Sequence, residues 1–182
     1  AVYTYFGSHN PEFVSPTFRI TYSSLITPRT VYDYDMNTRD FIEKKVYEVK
    51  GGYNKSDYVT ERIMATAPDG TKVPLSIAYR KGLKRDGKNP CYLYGYGSYG
   101  SNRDAYFSTV RLSLMDRGYV VAMAHVRGGS EMGRKWYEDG KFLNKKNTFT
   151  DFIACAEALI SGKYTNSDKL AISGGSAGGL LM

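Results

Sequence analysis

A serine flanked by glycines stands near the end of the sequence, in the stretch GGSAGG (174–179). Gly174, Ser176 and Gly178 fit the pattern G-x-S-x-G, which places a nucleophilic serine hydroxyl on a sharp turn between a strand and a helix. Glycine suits the flanking positions because a side chain there would collide with the neighbouring strand or helix. Loops with no catalytic role also contain this five-residue pattern, so the surrounding secondary structure must decide whether Ser176 is a nucleophile or part of such a loop.

The second half of the chain has the pattern of alternating strands and helices. Apolar runs predict strands over 91–97, 119–126 and 170–172. Helical spacing predicts two helices, over 106–118 and 148–160, the first with Phe107, Val110 and Leu114 on its apolar face. This alternation predicts a parallel α/β sheet, and a strand before and a helix after the serine favour a nucleophile.

A serine nucleophile needs a base, and the sequence contains two histidines, His9 and His125. In α/β-hydrolases the catalytic acid and histidine follow the nucleophile along the chain, and neither residue type follows Ser176. His125 ends a predicted buried strand and has the wrong chain order, so we expect it to have a structural role. We also expect the chain to be a fragment, because it begins without methionine and stops soon after the serine.

The first fifty residues have a different pattern. Short alternating segments, typical of an antiparallel meander that needs further strands to be stable, predict strands over 18–24, 30–36 and 41–49. A β-hairpin is predicted next, over 58–80. We place a domain boundary near Lys50, which divides the chain into residues 1–50 and 51–182.

Charge, apolar runs and cysteine spacing argue against several kinds of binding partner. The chain has a net charge of +7, but its basic stretches KGLKRDGK (81–88) and KFLNKK (141–146) lack RNA-binding patterns, so we interpret them as solvated surface and expect no nucleic-acid partner. No apolar run has membrane-spanning length, so no membrane partner is expected. Cys91 and Cys155 lack C-x-x-C spacing and are predicted to be buried free thiols; we expect no metal and no cofactor. A reducing, cytoplasmic compartment is compatible with these thiols.

Several stretches together resemble the prolyl oligopeptidase family of serine peptidases. In the family's order, they are YGYGSYG (94–100), RLSLMDRGYV (111–120), HVRGGSEMGRKWYEDGKFLNKKNTFTDF (125–152) and GGSAGG (174–179). Ser98, Tyr99 and Ala177 resemble the oligopeptidase B branch more than prolyl oligopeptidase proper. The resemblance implies an α/β-hydrolase domain interrupted by a β-propeller that admits only short peptides. Residues 1–50 would then be the C-terminal part of the propeller, and residues 51–182 the N-terminal part of the catalytic domain.

The resemblance also implies roles for four residues. Ser176 matches the catalytic nucleophile, Tyr96 the tyrosine whose hydroxyl binds the oxyanion, and Ala177 the residue whose backbone N–H assists it. Tyr99 matches the aromatic residue of the substrate-binding pocket. In the family, the catalytic Asp and His and the acidic residues that bind a basic P1 side chain follow the position of Met182. Without the resemblance, the tyrosine–glycine loop could equally be a turn that only packs.

The activity that the resemblance implies is that of a serine endopeptidase, which cuts short peptides after Arg or Lys through an acyl-enzyme on Ser176. Three alternatives stay open. Prolyl oligopeptidase activity keeps the chemistry and cuts after Pro. An esterase or lipase would carry an HGGG-type oxyanion loop, where this sequence has YGYGSYG. A homologue that has lost its catalytic triad would be a propeller-based interaction module.

Overall fold

The computed structural model describes residues 2–182, which form two β-sheets. The first sheet is antiparallel, has the order β1-β2-β3-β4, and consists of Tyr3–Gly7 (β1), Thr17–Ser24 (β2), Thr27–Asp35 (β3) and Phe41–Val46 (β4). The last three strands confirm the predicted meander, and β1 is a strand that the sequence analysis did not assign. In β1, Tyr3 and Tyr5 lie on the same face of the sheet, as residues two apart in a strand do, and Tyr5 lies opposite Tyr22 of β2.

The second sheet has five strands in the order β5-β6-β8-β7-β9. They are Tyr58–Thr66 (β5), Lys72–Arg80 (β6), Cys91–Tyr94 (β7), Val120–Ala124 (β8) and Leu170–Ser173 (β9). Strands β7, β8 and β9 are parallel, as predicted. The hairpin β5–β6 joins the same sheet because β6 pairs antiparallel with β8, with Ile77 opposite Ala122. The sheet is therefore mixed rather than parallel throughout.

The α-helices are Thr109–Asp116 (α1), Arg134–Glu138 (α2), Lys146–Ser161 (α3) and Ala177–Leu181 (α4), and single 3-10 turns lie at Lys55–Asp57, Phe142–Asn144 and Ser167–Lys169. The predicted apolar face of α1 is right for Leu114, which packs against the cluster that contains Met115, and wrong for Val110. Leu112 and Met115 are buried, whereas Val110 is 72% exposed. The helix begins only after Ser108, whose hydroxyl caps it, so Phe107 lies outside the helix and the buried face is rotated from the predicted one.

Two apolar clusters fill opposite faces of the second sheet. Leu75 of β6 packs with Leu159 of α3 in one cluster, and Met123 of β8 packs with Met115 of α1 in the other. All residues of β8 are buried, which explains why its sequence is a continuous apolar run. The two cysteines are free and buried, as predicted: Cys91 and Cys155.

The first sheet packs against the cluster that contains α1. Leu25 and Ile26, between β2 and β3, are buried beside Met115, and the backbone N–H of Phe107 donates to the hydroxyl of Ser23 at 3.0 Å. The predicted domain boundary near residue 50 falls in the segment between the two sheets and stays a prediction. Among the helices of the described residues, none combines the length and hydropathy needed to cross a bilayer.

Candidate active site

Ser176 lies between β9 and α4 in a conformation that non-glycine residues rarely adopt. Its φ is 54° and its ψ is −122°, and the residue is exposed. The turn is tight: a methyl group on Gly174 would overlap the carbonyl oxygen of Gly178, and a methyl group on Gly178 would lie 2.9 Å from the carbonyl oxygen of Gly95. The glycines therefore have the role that the sequence predicts, since they let a strained serine reach solvent at the end of β9.

Tyr96 lies next to the turn over 174–178, which we call the serine elbow, because β7 and β9 are neighbouring parallel strands. The backbone N–H of Gly95, just after β7, donates to the carbonyl of Ser173 at the end of β9, with a distance of 3.1 Å. The loops that follow the two strands therefore begin side by side at one edge of the sheet. The Tyr96 ring lies 3.3 Å from where a methyl group on Gly178 would be. The structure thus places Tyr96 beside the turn that carries Ser176.

A cation–π contact orients the Tyr96 ring. The guanidinium carbon of Arg103 lies 3.6 Å from the ring centroid. The backbone N–H of Arg103 in turn donates to a carboxylate oxygen of Glu131 at 2.9 Å. The sequence analysis missed Arg103, because no local spacing connects it with Tyr96.

The loop over 97–101, which follows Tyr96, is attached to the loop that follows β8. The backbone N–H of Gly100 donates to the carbonyl of Gly128 at 2.9 Å, and the hydroxyl of Ser130 donates to the carbonyl of Gly100. Gly128 has a φ of +100°, and a methyl group there would overlap the carbonyl of Gly97. The two loops are therefore in direct backbone contact.

Lys145 holds the same loop from the other side. Its ammonium donates to the carbonyl of Gly97 and, at 2.8 Å, to the hydroxyl of Ser98. Burial lowers the pKa of Lys145, because desolvation disfavours the charged form. The interpretation of KFLNKK (141–146) as solvated surface is therefore wrong for this residue. Sequence reasoning missed it because Lys145 and Lys146 are the same residue type and only the fold separates their environments.

A buried ion-pair network supports the loop that follows β8. The guanidinium of Arg127, whose side chain is 5% exposed, lies 2.6 Å from the fully buried carboxylate of Asp151 and 2.6 Å from the carboxylate of Asp69, whose side chain is 47% exposed. The network connects the turn of the β5–β6 hairpin with α3. Hydrogen bonding from Arg127 lowers the pKa of Asp69 to about 2.

Tyr99 and Ala177 line one cavity beside the elbow, with a volume of about 470 Å³. Tyr99 has a φ of 58° and is 78% exposed. The same cavity is lined by two further aromatic residues and two lysines: Tyr137, Phe142, Lys141 and Lys145. No acidic residue of the described chain lines it.

Neither histidine of the described residues hydrogen-bonds to Ser176. His125 is 5% exposed, and its Nε2 lies 2.7 Å from the hydroxyl of Ser76 on β6. Its carbonyl accepts a hydrogen bond from the indole of Trp136 at 3.1 Å. The ring of His125 is therefore buried and hydrogen-bonded away from Ser176, and its structural role stays a prediction, while His9 is exposed in the loop between β1 and β2.

Comparison with known proteins decides the family. A model described as the prolyl oligopeptidase family matches residues 105–182. The chain belongs to the prolyl oligopeptidase family. Dipeptidyl aminopeptidase BI from Pseudoxanthomonas mexicana is 51% identical over 176 residues, which cover 96% of this chain and 24% of that protein. Prolyl endopeptidase from Elizabethkingia meningoseptica is 42% identical over 163 residues, with 89% of this chain and 23% of that protein covered.

Among solved structures, oligopeptidase B from Leishmania major matches this member of the prolyl oligopeptidase family with a TM-score of 0.92 and 50% sequence identity. The match covers 99% of this chain and 25% of that structure's chain. It confirms the predicted fold class, an α/β-hydrolase preceded by the last strands of a β-propeller. The chain spans about a quarter of the length of the relatives that it matches.

Proposed function

We propose that the full-length protein is a serine endopeptidase that cuts short peptides through an acyl-enzyme on Ser176. The observation that carries the proposal is the exposed Ser176 in a strained turn, with Tyr96 beside it. The serine oxygen attacks the carbonyl carbon of the scissile bond, the serine proton passes to a base, and the peptide amine leaves with a proton. Water then hydrolyses the ester and releases the acid product.

The oxyanion of the tetrahedral intermediate needs hydrogen-bond donors. We assign this role to the hydroxyl of Tyr96 and the backbone N–H of Ala177, the first residue of α4. The neighbouring strands β7 and β9 support the assignment, because they deliver Tyr96 and the serine elbow to one sheet edge. The stacking of Arg103 on the Tyr96 ring limits its motion, which favours a donor that is already in position.

We expect the catalytic base to come from the part of the full-length protein that this chain does not span, since neither His9 nor His125 hydrogen-bonds to Ser176. We therefore expect the 182 residues alone to show no turnover.

We also propose a cytoplasmic location, because the buried thiols of Cys91 and Cys155 suit a reducing compartment.

Cleavage after Arg or Lys is the specificity that we propose, with Tyr99 stacking on the substrate cation. Such stacking contributes only about 0.5 to 2 kcal/mol, and the described part of the cavity has no carboxylate. A carboxylate from another part of the full-length protein must supply the rest. A specific observation favours the second candidate, cleavage after Pro: the aromatic rings of Tyr99, Tyr137 and Phe142 line the cavity together with two lysines.

The nucleophile assignment is tested by replacing Ser176. Full-length Ser176→Ala protein should lose turnover of peptide substrates and labelling by a fluorophosphonate probe, because the acylated oxygen is absent. The neighbouring variant Ser173→Ala, on β9, should keep both. Undiminished turnover in Ser176→Ala, or a probe adduct mapped to another residue, would contradict the proposal.

The oxyanion assignment is tested with Tyr96→Phe in the full-length protein. Its kcat/KM for peptide substrates should fall by about 10² or more, because one donor to the oxyanion is lost. Tyr106→Phe is a matched control, since the guanidinium of Arg111 also lies over the ring of Tyr106. Equal kinetics for the two variants would remove Tyr96 from the oxyanion site.

The specificity proposal is tested by comparing peptides that differ only in the P1 residue. Arg or Lys at P1 should give a kcat/KM more than about tenfold above that for Pro, or roughly 1.4 kcal/mol. A preference for Pro would favour the second candidate. Folded proteins should remain uncut if a propeller restricts entry, so efficient digestion of a folded protein would contradict the gating model.

A further inference from the structure

Lys145 occupies an unfavourable position for a charged side chain. It directly precedes α3, a 16-residue helix whose N-terminal end carries the positive end of the helix dipole. Its side chain makes no capping hydrogen bond to this helix, and burial lowers its pKa. Within residues 2–182, the ion pairs closer than 4.0 Å do not include Lys145. An ammonium that is partly desolvated and lacks a counterion costs free energy unless its other contacts offset that cost.

The contacts that offset the cost all lie on one loop. The Lys145 ammonium donates to the Gly97 carbonyl and to the Ser98 hydroxyl, and both acceptors stand between Tyr96 and Tyr99. In the described chain, no other side chain hydrogen-bonds to residues 97 and 98. Hydrogen bonds from a charged donor are stronger than those between neutral groups, so Lys145 is well suited to fix this segment.

The far end of the loop is held by different groups, the backbone of Gly128 and the hydroxyl of Ser130. Those hydrogen bonds hold Gly100, whereas the side-chain hydrogen bonds to residues 97 and 98 come from Lys145, in a segment that also packs against Val126 and Thr148. The cavity lined by Lys145 is also lined by Ala177, the first residue of α4. The ammonium therefore acts on the loop between the Tyr96 donor and the substrate-binding cavity.

We propose that Lys145 is a positioning residue that holds the loop from Tyr96 to Tyr99 in the conformation that presents the Tyr96 hydroxyl to the oxyanion. The inference rests on the proposed function of Ser176 and Tyr96. Lys145 acts through the loop and does not itself contact the reacting atoms. Its loss should therefore lower kcat rather than raise KM, because oxyanion stabilisation is needed in the transition state and not for ground-state binding.

The test compares Lys145→Met with Lys146→Met in the full-length protein. The two variants remove the same charge from adjacent positions, but Lys146 is exposed and Lys145 is half-buried. We expect Lys145→Met to lower kcat by about tenfold or more with KM within about twofold of the parent value, and Lys146→Met to match the parent. Parent-like kcat in Lys145→Met, or a change confined to KM, overturns the inference.

Chemical rescue separates positioning from general damage to the fold. The Lys145→Cys variant should have a low kcat. Alkylation with 2-bromoethylamine restores an ammonium at nearly the original length, and it should raise the kcat of this variant by about tenfold or more. Cys91 and Cys155 are buried and burial raises the pKa of both thiols, so they should react slowly; parent protein treated in parallel is the control. Complete alkylation at position 145 without recovery of kcat overturns the inference.

A double variant tests whether Lys145 acts through Tyr96. Tyr96→Phe/Lys145→Met should be about as active as Tyr96→Phe alone, because no hydroxyl is left to position. Losses that multiply would show that Lys145 acts elsewhere. If Ser176→Ala keeps full turnover, the proposed function itself fails; if turnover depends on Ser176 and Tyr96 but Lys145→Met is parent-like, only this inference fails.

Discussion

The two sheets differ in how much of their surface is buried. In β6 the seven residues between the terminal ones are buried, and so is all of β8, whereas every residue of β4 is exposed. Helices α1 and α3 cover opposite faces of the second sheet, while aromatic side chains of the first sheet line an open groove. The second sheet, at whose end the site lies, therefore has the better-packed centre, although β9, which leads to Ser176, has no buried residue. Equivalent substitutions in the centre of the second sheet and in the first sheet should have unequal effects.

The largest expected difference is between two glycines. Gly128→Ala should lower the free energy of unfolding by about 4 kcal/mol or more, because its φ is +100° and the methyl group meets backbone of Gly97. In β1, Gly7→Ala should cost less than about 1 kcal/mol, because its methyl group would meet only the end of the Phe18 ring, at 3.1 Å. Urea denaturation of the full-length variants measures both. Equal losses would show that the contact between the two loops is not rigid.

The next difference is between two ion pairs. Asp151→Asn should cost about 3 to 5 kcal/mol, because it leaves the buried guanidinium of Arg127 without its main partner. Asp33→Asn removes the partner of Arg19, whose side chain is 46% exposed, and should leave the urea midpoint close to that of the parent. A similar shift of the midpoint in both variants would contradict the assignment of the Arg127 network to the protein core.

A third difference concerns apolar side chains. Leu75→Ala on β6 should cost about 3 kcal/mol, because Leu75 is fully buried and the truncation leaves a cavity. Ile42→Ala on β4 should change stability by less than about 0.5 kcal/mol, since Ile42 is 52% exposed. Thermal unfolding of the full-length protein compares the two. A large loss in Ile42→Ala would mean that other residues of the full-length protein cover β4.

The smallest expected effect is on acid stability. Because Arg127 lowers the pKa of Asp69 to about 2, and an unfolded Asp titrates near about 4, the unfolded chain takes up this proton first as the pH falls. Asp69 therefore contributes stability above about pH 4 that is lost as the pH falls towards 2. Asp69→Asn should reduce the drop in urea midpoint between pH 5 and pH 3. Asp33→Asn should reduce it less, because the carboxylate of Asp69 also accepts a hydrogen bond from the backbone N–H of Thr71 and its partner Arg127 is more buried than Arg19.

Local patterns explain which parts of the fold the sequence could predict. The apolar run of β8 and the glycines around Ser176 follow from constraints on neighbouring residues. Val110 was wrongly placed on the buried face of α1 because the position of the Ser108 cap, rather than the apolar spacing, decides where the helix begins. The joining of the β5–β6 hairpin to the parallel strands is a tertiary pairing, which the sequence of the hairpin does not encode.

The supporting residues of the site could not be predicted for a related reason. Lys145 contacts the Tyr96 loop across 48 positions of the chain, and Arg127 contacts Asp69 across 58. No spacing rule connects residues so far apart. The resemblance to a family supplied Tyr96 and Tyr99, whereas Arg103 and Lys145 emerge only once the strand ends are brought together.

The tight backbone at the serine elbow also limits how its sequence can change. At Gly95, a methyl group would meet the side chain of Phe152 at 2.5 Å, so a smaller residue at position 152 can compensate for alanine at position 95. At Gly174 and Gly178 the obstacle is carbonyl oxygen, which every amino acid carries, so no second substitution removes it. Substitutions at Gly174 or Gly178 are therefore incompatible with the turn that carries Ser176, whereas a paired substitution at positions 95 and 152 is compatible with it.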